Sequence, residues 1–145
     1  MKKYKQTIIP KVNESLFKEM TLKEIKPFVK KYYNEKFKGK TFINKHKGIS
    51  VKFSRKGIDH VIYGRTRGNE KLKAVVVLDK MIQNAVYSNF GEPDKTDPPG
   101  VLGFLNFKVK VNVENKEHFF RVVVRITKDG KFFYDHAVKI VKSPV

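Results

Sequence analysis

Between residues 105 and 113 the side chains alternate without a break. Leu105, Phe107, Val109, Val111 and Val113 are apolar, while Asn106, Lys108, Lys110 and Asn112 are polar. A period of two puts every apolar group on one face of an extended chain, whereas a helix over the same residues would bury lysines. The segment is therefore predicted as a half-buried antiparallel strand. Such a strand constrains the rest of the chain, because its backbone groups need neighbouring strands and its apolar face needs a covering layer. The neighbours are legible. Residues 119–127, after a turn near Asn115, carry Val122, Val124 and Ile126 on one face, which places Arg121 and Arg125 together on the other. Asp129-Gly130 reads as a two-residue hairpin turn into a third strand from residue 132 to about 140.

The covering layer is predicted upstream. Residues 1–13 show no period and read as a flexible arm. Thr21 and Glu24 form a possible capping box, and Leu22, Ile25, Val29, Tyr32, Tyr33 and Phe37 follow helical spacing. Pro27 is expected to kink this helix or mark its start, because an interior proline removes a backbone hydrogen bond. Two short apolar runs around a Lys45–Gly48 turn read as a hairpin over residues 40–53. Ser54 is a candidate N-cap for a short helix carrying Ile58, Val61 and Ile62. Over residues 70–84, Val75-Val76-Val77 favours a strand, but Ala74, Leu78, Met81, Ile82 and Ala85 continue a helical pattern, and the longer pattern prevails. Pro93, Pro98 and Pro99 exclude regular structure from the loop at 91–100. The expectation is one α+β domain over residues 1–145: arm 1–13, helical 14–38, hairpin 40–53, helices 55–84 and antiparallel sheet 86–142. N-terminal helices and the small hairpin then pack on a C-terminal antiparallel meander.

Charge points to the partner. The 145 residues carry 32 Lys+Arg against 14 Asp+Glu, a formal charge of +18. Self-repulsion of that size opposes any compact state, so a polyanion, most simply RNA, is the expected ligand. Residues 1–73 hold 21 of the basic residues against 6 acidic ones, and residues 74–145 hold 11 against 8, so the excess is concentrated in the first half. The competing reading is a lysine-rich solvated surface. Cysteine is absent from the chain, which removes disulfides, thiolate metal sites and cysteine nucleophiles. Met1-Lys2-Lys3 is not followed by a long apolar stretch, so neither a conventional signal peptide nor a membrane span is expected, and the site of action is taken as the cytoplasm, with the protein monomeric.

Cleavage of RNA without a metal needs an acid, a base and fixed cations around the phosphorane. His60 and His136 are the candidates for proton transfer, Arg121 and Arg125 for charge stabilisation, and Tyr134 adjoins His136. Arg55, Lys56, Arg65, Arg67 and Lys71 are candidate phosphate contacts, the Gly64–Gly68 loop offering backbone donors besides its two guanidinium groups. Each has a structural rival: a solvated strand face for the arginines, and for His136 a buried position, since it shares parity with Tyr134 unless a bulge intervenes. His46 and His118 read as turn residues. No metal or other cofactor is expected, because the histidines form no zinc-binding spacing and no Walker-type cradle is present. Tyr32, Tyr33, Tyr63, Tyr87, Phe90 and Tyr134 are available for stacking on bases, although a Trp-free domain needs most of them in its core.

The succession Phe42-Ile43-Asn44, Gly48-Ile49-Ser50-Val51, Phe53 through His60, Gln83 through Tyr87 and Phe133-Tyr134-Asp135-His136 resembles the large polyvalent protein-associated and phage-toxin domains grouped with the barnase, EndoU, colicin and RelE nucleases. The resemblance covers about residues 20–142. It implies helices preceding a four-stranded antiparallel sheet, metal-independent endoribonuclease activity and use as a toxin module. On the reading as a toxin, tRNA is a candidate substrate, and the basic charge makes an acidic immunity or antitoxin protein a candidate partner. By motif it carries onto His60, Arg55 and His136, and more loosely onto Tyr134 and Arg125. No Glu and His pair of the barnase type aligns. A non-catalytic nucleic-acid-binding accessory domain of a phage or mobile-element protein is the alternative.

Overall fold

The computed structural model describes residues 4–54 and 70–140. The short helix expected after Ser54, the Gly64–Gly68 loop, and Arg55, Lys56, His60, Tyr63, Arg65 and Arg67 lie outside the described residues. In chain order the elements are a 3₁₀ turn (Glu14–Phe17), α1 (Leu22–Lys36), β1 (Thr41–Ile43), β2 (Ser50–Lys52), α2 (Glu70–Ala74), a 3₁₀ turn (Val75–Val77), α3 (Leu78–Asn84), β3 (Val86–Gly91), β4 (Val101–Val113), β5 (Lys116–Thr127) and β6 (Phe132–Ile140). Helices cover one face of a sheet, so the α+β class stands.

α1 starts where its capping chemistry dictates. The Glu24 carboxylate accepts from the Thr21 backbone N–H (3.4 Å) and hydroxyl (3.0 Å). Pro27 neither starts nor ends the helix. It sits in the second turn on the exposed side, where the Lys23 carbonyl that loses its intrahelical donor is open to water. Ile25, Val29 and Tyr33 form the buried stripe, each worth roughly 1.5–3 kcal/mol of apolar burial. The 70–84 helical pattern is interrupted by one 3₁₀ turn at the valine triplet, whose branched side chains crowd the preceding turn of an α-helix.

The described strands form one sheet in the order β1-β2-β6-β5-β4-β3. It is mixed rather than wholly antiparallel. The β1–β2 hairpin does not pack on the sheet as a separate layer; β2 joins β6 in parallel through Val51↔Phe132 and Lys52↔Phe133. This pairing covers the start of a β6 edge that would otherwise expose unpaired backbone groups. The hairpin is held to α3 by Asn44, which is buried and donates from Nδ2 to the carbonyls of Ile82 and Ala85, both at 2.8 Å. One side chain thus satisfies carbonyls that the end of α3 leaves without intrahelical partners.

Two further features differ from expectation. The first segment, read as an arm, lies along β4. Asn112 donates to the Pro10 carbonyl and accepts from the Val12 N–H, and the Gln6 side chain bonds both backbone groups of Lys110. Tyr4 stacks on His46 at 4.2 Å. The β5–β6 connection uses three residues, not two. Thr127 N–H donates to the Lys131 carbonyl across Lys128-Asp129-Gly130, and Gly130 takes a φ of +82°, the left-handed position of a bulged three-residue hairpin loop.

The core lies between the helices and one sheet face. Phe107, Val109, Val111, Phe120, Val122, Val124, Tyr134 and Ala137 point into it from the strands. Among the described residues no helix is long and apolar enough to cross a membrane.

Candidate active site on the outer sheet face

A single extra residue in β6 creates the site. Val124 pairs with Tyr134, but Val123 pairs with His136, so Asp135 is a β-bulge. In an unbroken strand Tyr134 and His136 would share a face. Here Tyr134 points into the core, and His136 lies beside Val123 on the outer face. Asp135 reaches the same face. Its Oδ2 lies 2.6 Å from His136 Nδ1 and its Oδ1 lies 3.6 Å from Arg125 Nη1. The Arg125 guanidinium also sits over the Phe133 ring, 5.3 Å from its centroid.

This arrangement has chemical content. A carboxylate on Nδ1 orients the imidazole and sets its tautomer, leaving proton exchange to Nε2 on the other side of the ring. A guanidinium on the same carboxylate presents fixed positive charge beside the imidazole. Arg121 stands on the same face, exposed, two same-face positions from Arg125 along β5, with Val123 between them, and opposite Lys108 of β4. The two arginines therefore share the face away from the helices, as the alternation of β5 requires.

The remaining candidates are placed elsewhere. Tyr134 is 1% exposed and contacts Phe53 across 5.1 Å between ring centroids. Burial, then the neighbouring Tyr33 and Asp135, push its hydroxyl pKa far above the ordinary value, so the group stays protonated and does not join His136. Lys71 is half-buried on α2, in the helical layer on the opposite side of the sheet, and burial lowers its pKa. His46 occupies the hairpin turn as expected, where its Nδ1 accepts from the Tyr87 N–H at 3.0 Å. Burial, then Lys47, lowers its pKa, in keeping with a ring nitrogen that must accept. His118 is not a turn residue. It belongs to β5, opposite Val111, on the helix side near Glu70. Of the aromatics offered for stacking, Tyr33 and Tyr134 are core, Tyr32 and Tyr87 are half-buried, and Phe90 is exposed, its ring covering Gly103.

Asp135 is the member of this candidate site that sequence reasoning passed over. Neighbours along a regular strand point to opposite faces, so an Asp next to a His carries no signal for a pair. Only the bulge brings both to one side. Among the described residues no three His, Asp or Glu side chains gather into a group that would hold a metal ion.

A family model described as large polyvalent protein-associated domain 3 matches residues 20–134, from the capping box of α1 into β6. No curated protein and no solved structure matches the chain. With most of its length inside that match, the chain belongs to the large polyvalent protein-associated domain 3 family.

Proposed function

We propose that this domain is a metal-independent endoribonuclease of toxin type, related to the barnase, EndoU, colicin and RelE nucleases and acting on RNA in the cytoplasm. The observation that carries this reading is the Asp135–His136 pair beside Arg125 on the outer sheet face. A positioned imidazole and a fixed guanidinium are two of the parts that transesterification of RNA requires. His136 exchanges the proton, Arg125 stabilises charge on the phosphorane, and Arg121 holds the flanking phosphate. The 2′-hydroxyl attacks the adjacent phosphorus, the 5′-oxygen leaves with a proton, and a 2′,3′-cyclic phosphate results. His60, Arg55, Lys56, Arg65 and Arg67 complete the proposed acid–base and phosphate-binding set. An acidic immunity or antitoxin protein would neutralise the same basic face.

A second reading, non-catalytic binding of nucleic acid, is favoured by a different observation. Lys108 and Arg121 face each other directly across β4 and β5. Like charges so placed are destabilising, and a phosphate between them relieves the repulsion without any chemistry. The test that separates the readings is incubation of purified protein with total RNA in EDTA, followed by analysis of the new ends. The nuclease reading expects cleavage that persists in EDTA, cyclic phosphate termini and resistance of deoxy substrates. RNA left intact with and without divalent metal would transfer the proposal to the binding role.

A further inference from the structure

The strand registers line up one row of residues across the six described strands: Thr41, Lys52, Phe133, Arg125, Phe104 and Gly91. Each is paired with the next, so all stand on one face, the face that carries His136. Along it cations and aromatic rings alternate. Lys52 is exposed on one side of Phe133, and Arg125 stacks over the ring on the other.

Phe133 is also a wall. A cavity of about 600 Å³ lies on its Arg125 side, lined by Lys128 and Lys131 among others, and a second of about 480 Å³ lies on its Lys52 side, lined by Thr41 and again Lys131. Phe133 and Lys131 belong to both. The charged groups of the pair of cavities are Arg125, Lys128, Lys131 and Lys52 against Asp129, whose ion pair with Lys131 at 3.7 Å is exposed and weak. An excess of cations around an aromatic divider suits a polyanion whose units have flat faces. Single-stranded nucleic acid has this combination, and a duplex does not, because its bases are already stacked on each other.

We infer that these cavities form a groove for single-stranded RNA. Two successive nucleotides lie one on each side of Phe133, with Lys131 on the phosphate between them and one base extending the Arg125–Phe133 stack. The choice of RNA rests on the nuclease reading above, and the groove gives that site its substrate class, unpaired rather than duplex RNA.

The experiment is an anisotropy titration with an end-labelled single-stranded 2′-O-methyl oligonucleotide, which lacks the nucleophilic hydroxyl and is not consumed. Phe133→Leu keeps an apolar side chain but removes the π face, and should weaken binding about five- to hundredfold, the range of one lost base stack. Lys52→Gln is an exposed change that leaves the fold intact. It should weaken binding and lower the salt slope by about one, so it keeps the test decisive if Phe133→Leu does not fold. Lys31→Gln on α1 should change nothing. Wild-type affinity in both Phe133→Leu and Lys52→Gln, absence of binding by wild type, or tighter binding of a duplex overturns the groove. Binding that depends on Phe133 in a protein that cleaves no RNA keeps the groove and removes the nuclease. Cleavage by wild type with binding indifferent to Phe133 does the reverse.

Discussion

On the face of β5 and β6 that meets the helices, Phe120, Val122, Val124, Tyr134 and Ala137 are buried in a continuous apolar core. On the opposite face the same strands carry Arg121, Arg125, Asp135 and His136, all exposed or half-buried. Adjacent residues of one strand thus answer to different physics. A core position is fixed by volume and by the cost of an unpaired polar group, whereas an outer position is fixed by charge and by access to a ligand. Substitutions on the two faces should separate cleanly into losses of stability and losses of activity.

The largest effect is expected on the inner face. Tyr134→Ala should cost about 3–5 kcal/mol in denaturant unfolding, as for other large aromatic residues cut out of a core. Tyr134→Phe should keep stability or raise it, because the hydroxyl is buried with no hydrogen-bond partner among the described residues. It should also leave RNA cleavage unchanged. A folded Tyr134→Phe protein that no longer cleaves would put the phenol into the chemistry and end the separation of faces.

Next in size is the outer face. His136→Ala should slow cleavage about a hundredfold or more while unfolding and RNA affinity stay near wild type, since a half-exposed imidazole contributes little packing. Equal losses of binding and cleavage would make His136 a recognition residue instead.

A smaller effect sharpens the contrast, because the two readouts should move in opposite directions. Lys108→Gln removes the like-charge pair with Arg121 and should raise stability by about 0.2–1 kcal/mol. The same change should lower RNA affinity and flatten its salt dependence by about one phosphate. Stability and affinity falling together would mean that Lys108 packs rather than repels.

An effect of similar small size belongs to an ion pair on the helical side. Glu70 opens α2 and meets Lys139 of β6 at 3.3 Å. Its own backbone N–H, then Lys139, lower its pKa against the opposing effect of burial. A carboxyl whose pKa is lower folded than unfolded stabilises the protein above its unfolded value and stops doing so as pH falls through the folded one. Glu70→Gln should therefore cost about 0.3–1 kcal/mol at neutral pH and nothing in acid, where wild type has lost the same contribution. An equal cost at both pH values, read from unfolding midpoints, would assign Glu70 a packing role.

Some of this was legible without coordinates. The alternation of β4, the stripe on α1, the Thr21–Glu24 cap and the turn near Asn115, where Glu114 and Asn115 both take positive φ, follow from short-range sterics. The shared face of Arg121 and Arg125 followed from parity alone. Parity failed three residues into β6, because a bulge leaves no periodic trace in a strand of nine residues. The Asp135–His136 pair was hidden for that reason, whereas Tyr134, ahead of the bulge, follows the alternation that sets it with Phe132 on the core side.

Local repeats decide which segments become strands or helices and which side of each is apolar, since those choices depend on residues a few positions apart. They do not decide which edge β2 joins, where the first segment lies along β4, or on which residue β6 slips. Those outcomes depend on unpaired backbone groups far apart in the chain finding partners once the core has closed. The charge of this protein was written in its residues, but the row that brings Lys52 beside Phe133 and Arg125 came only from hydrogen bonding between β2 and β6, about eighty positions apart in sequence.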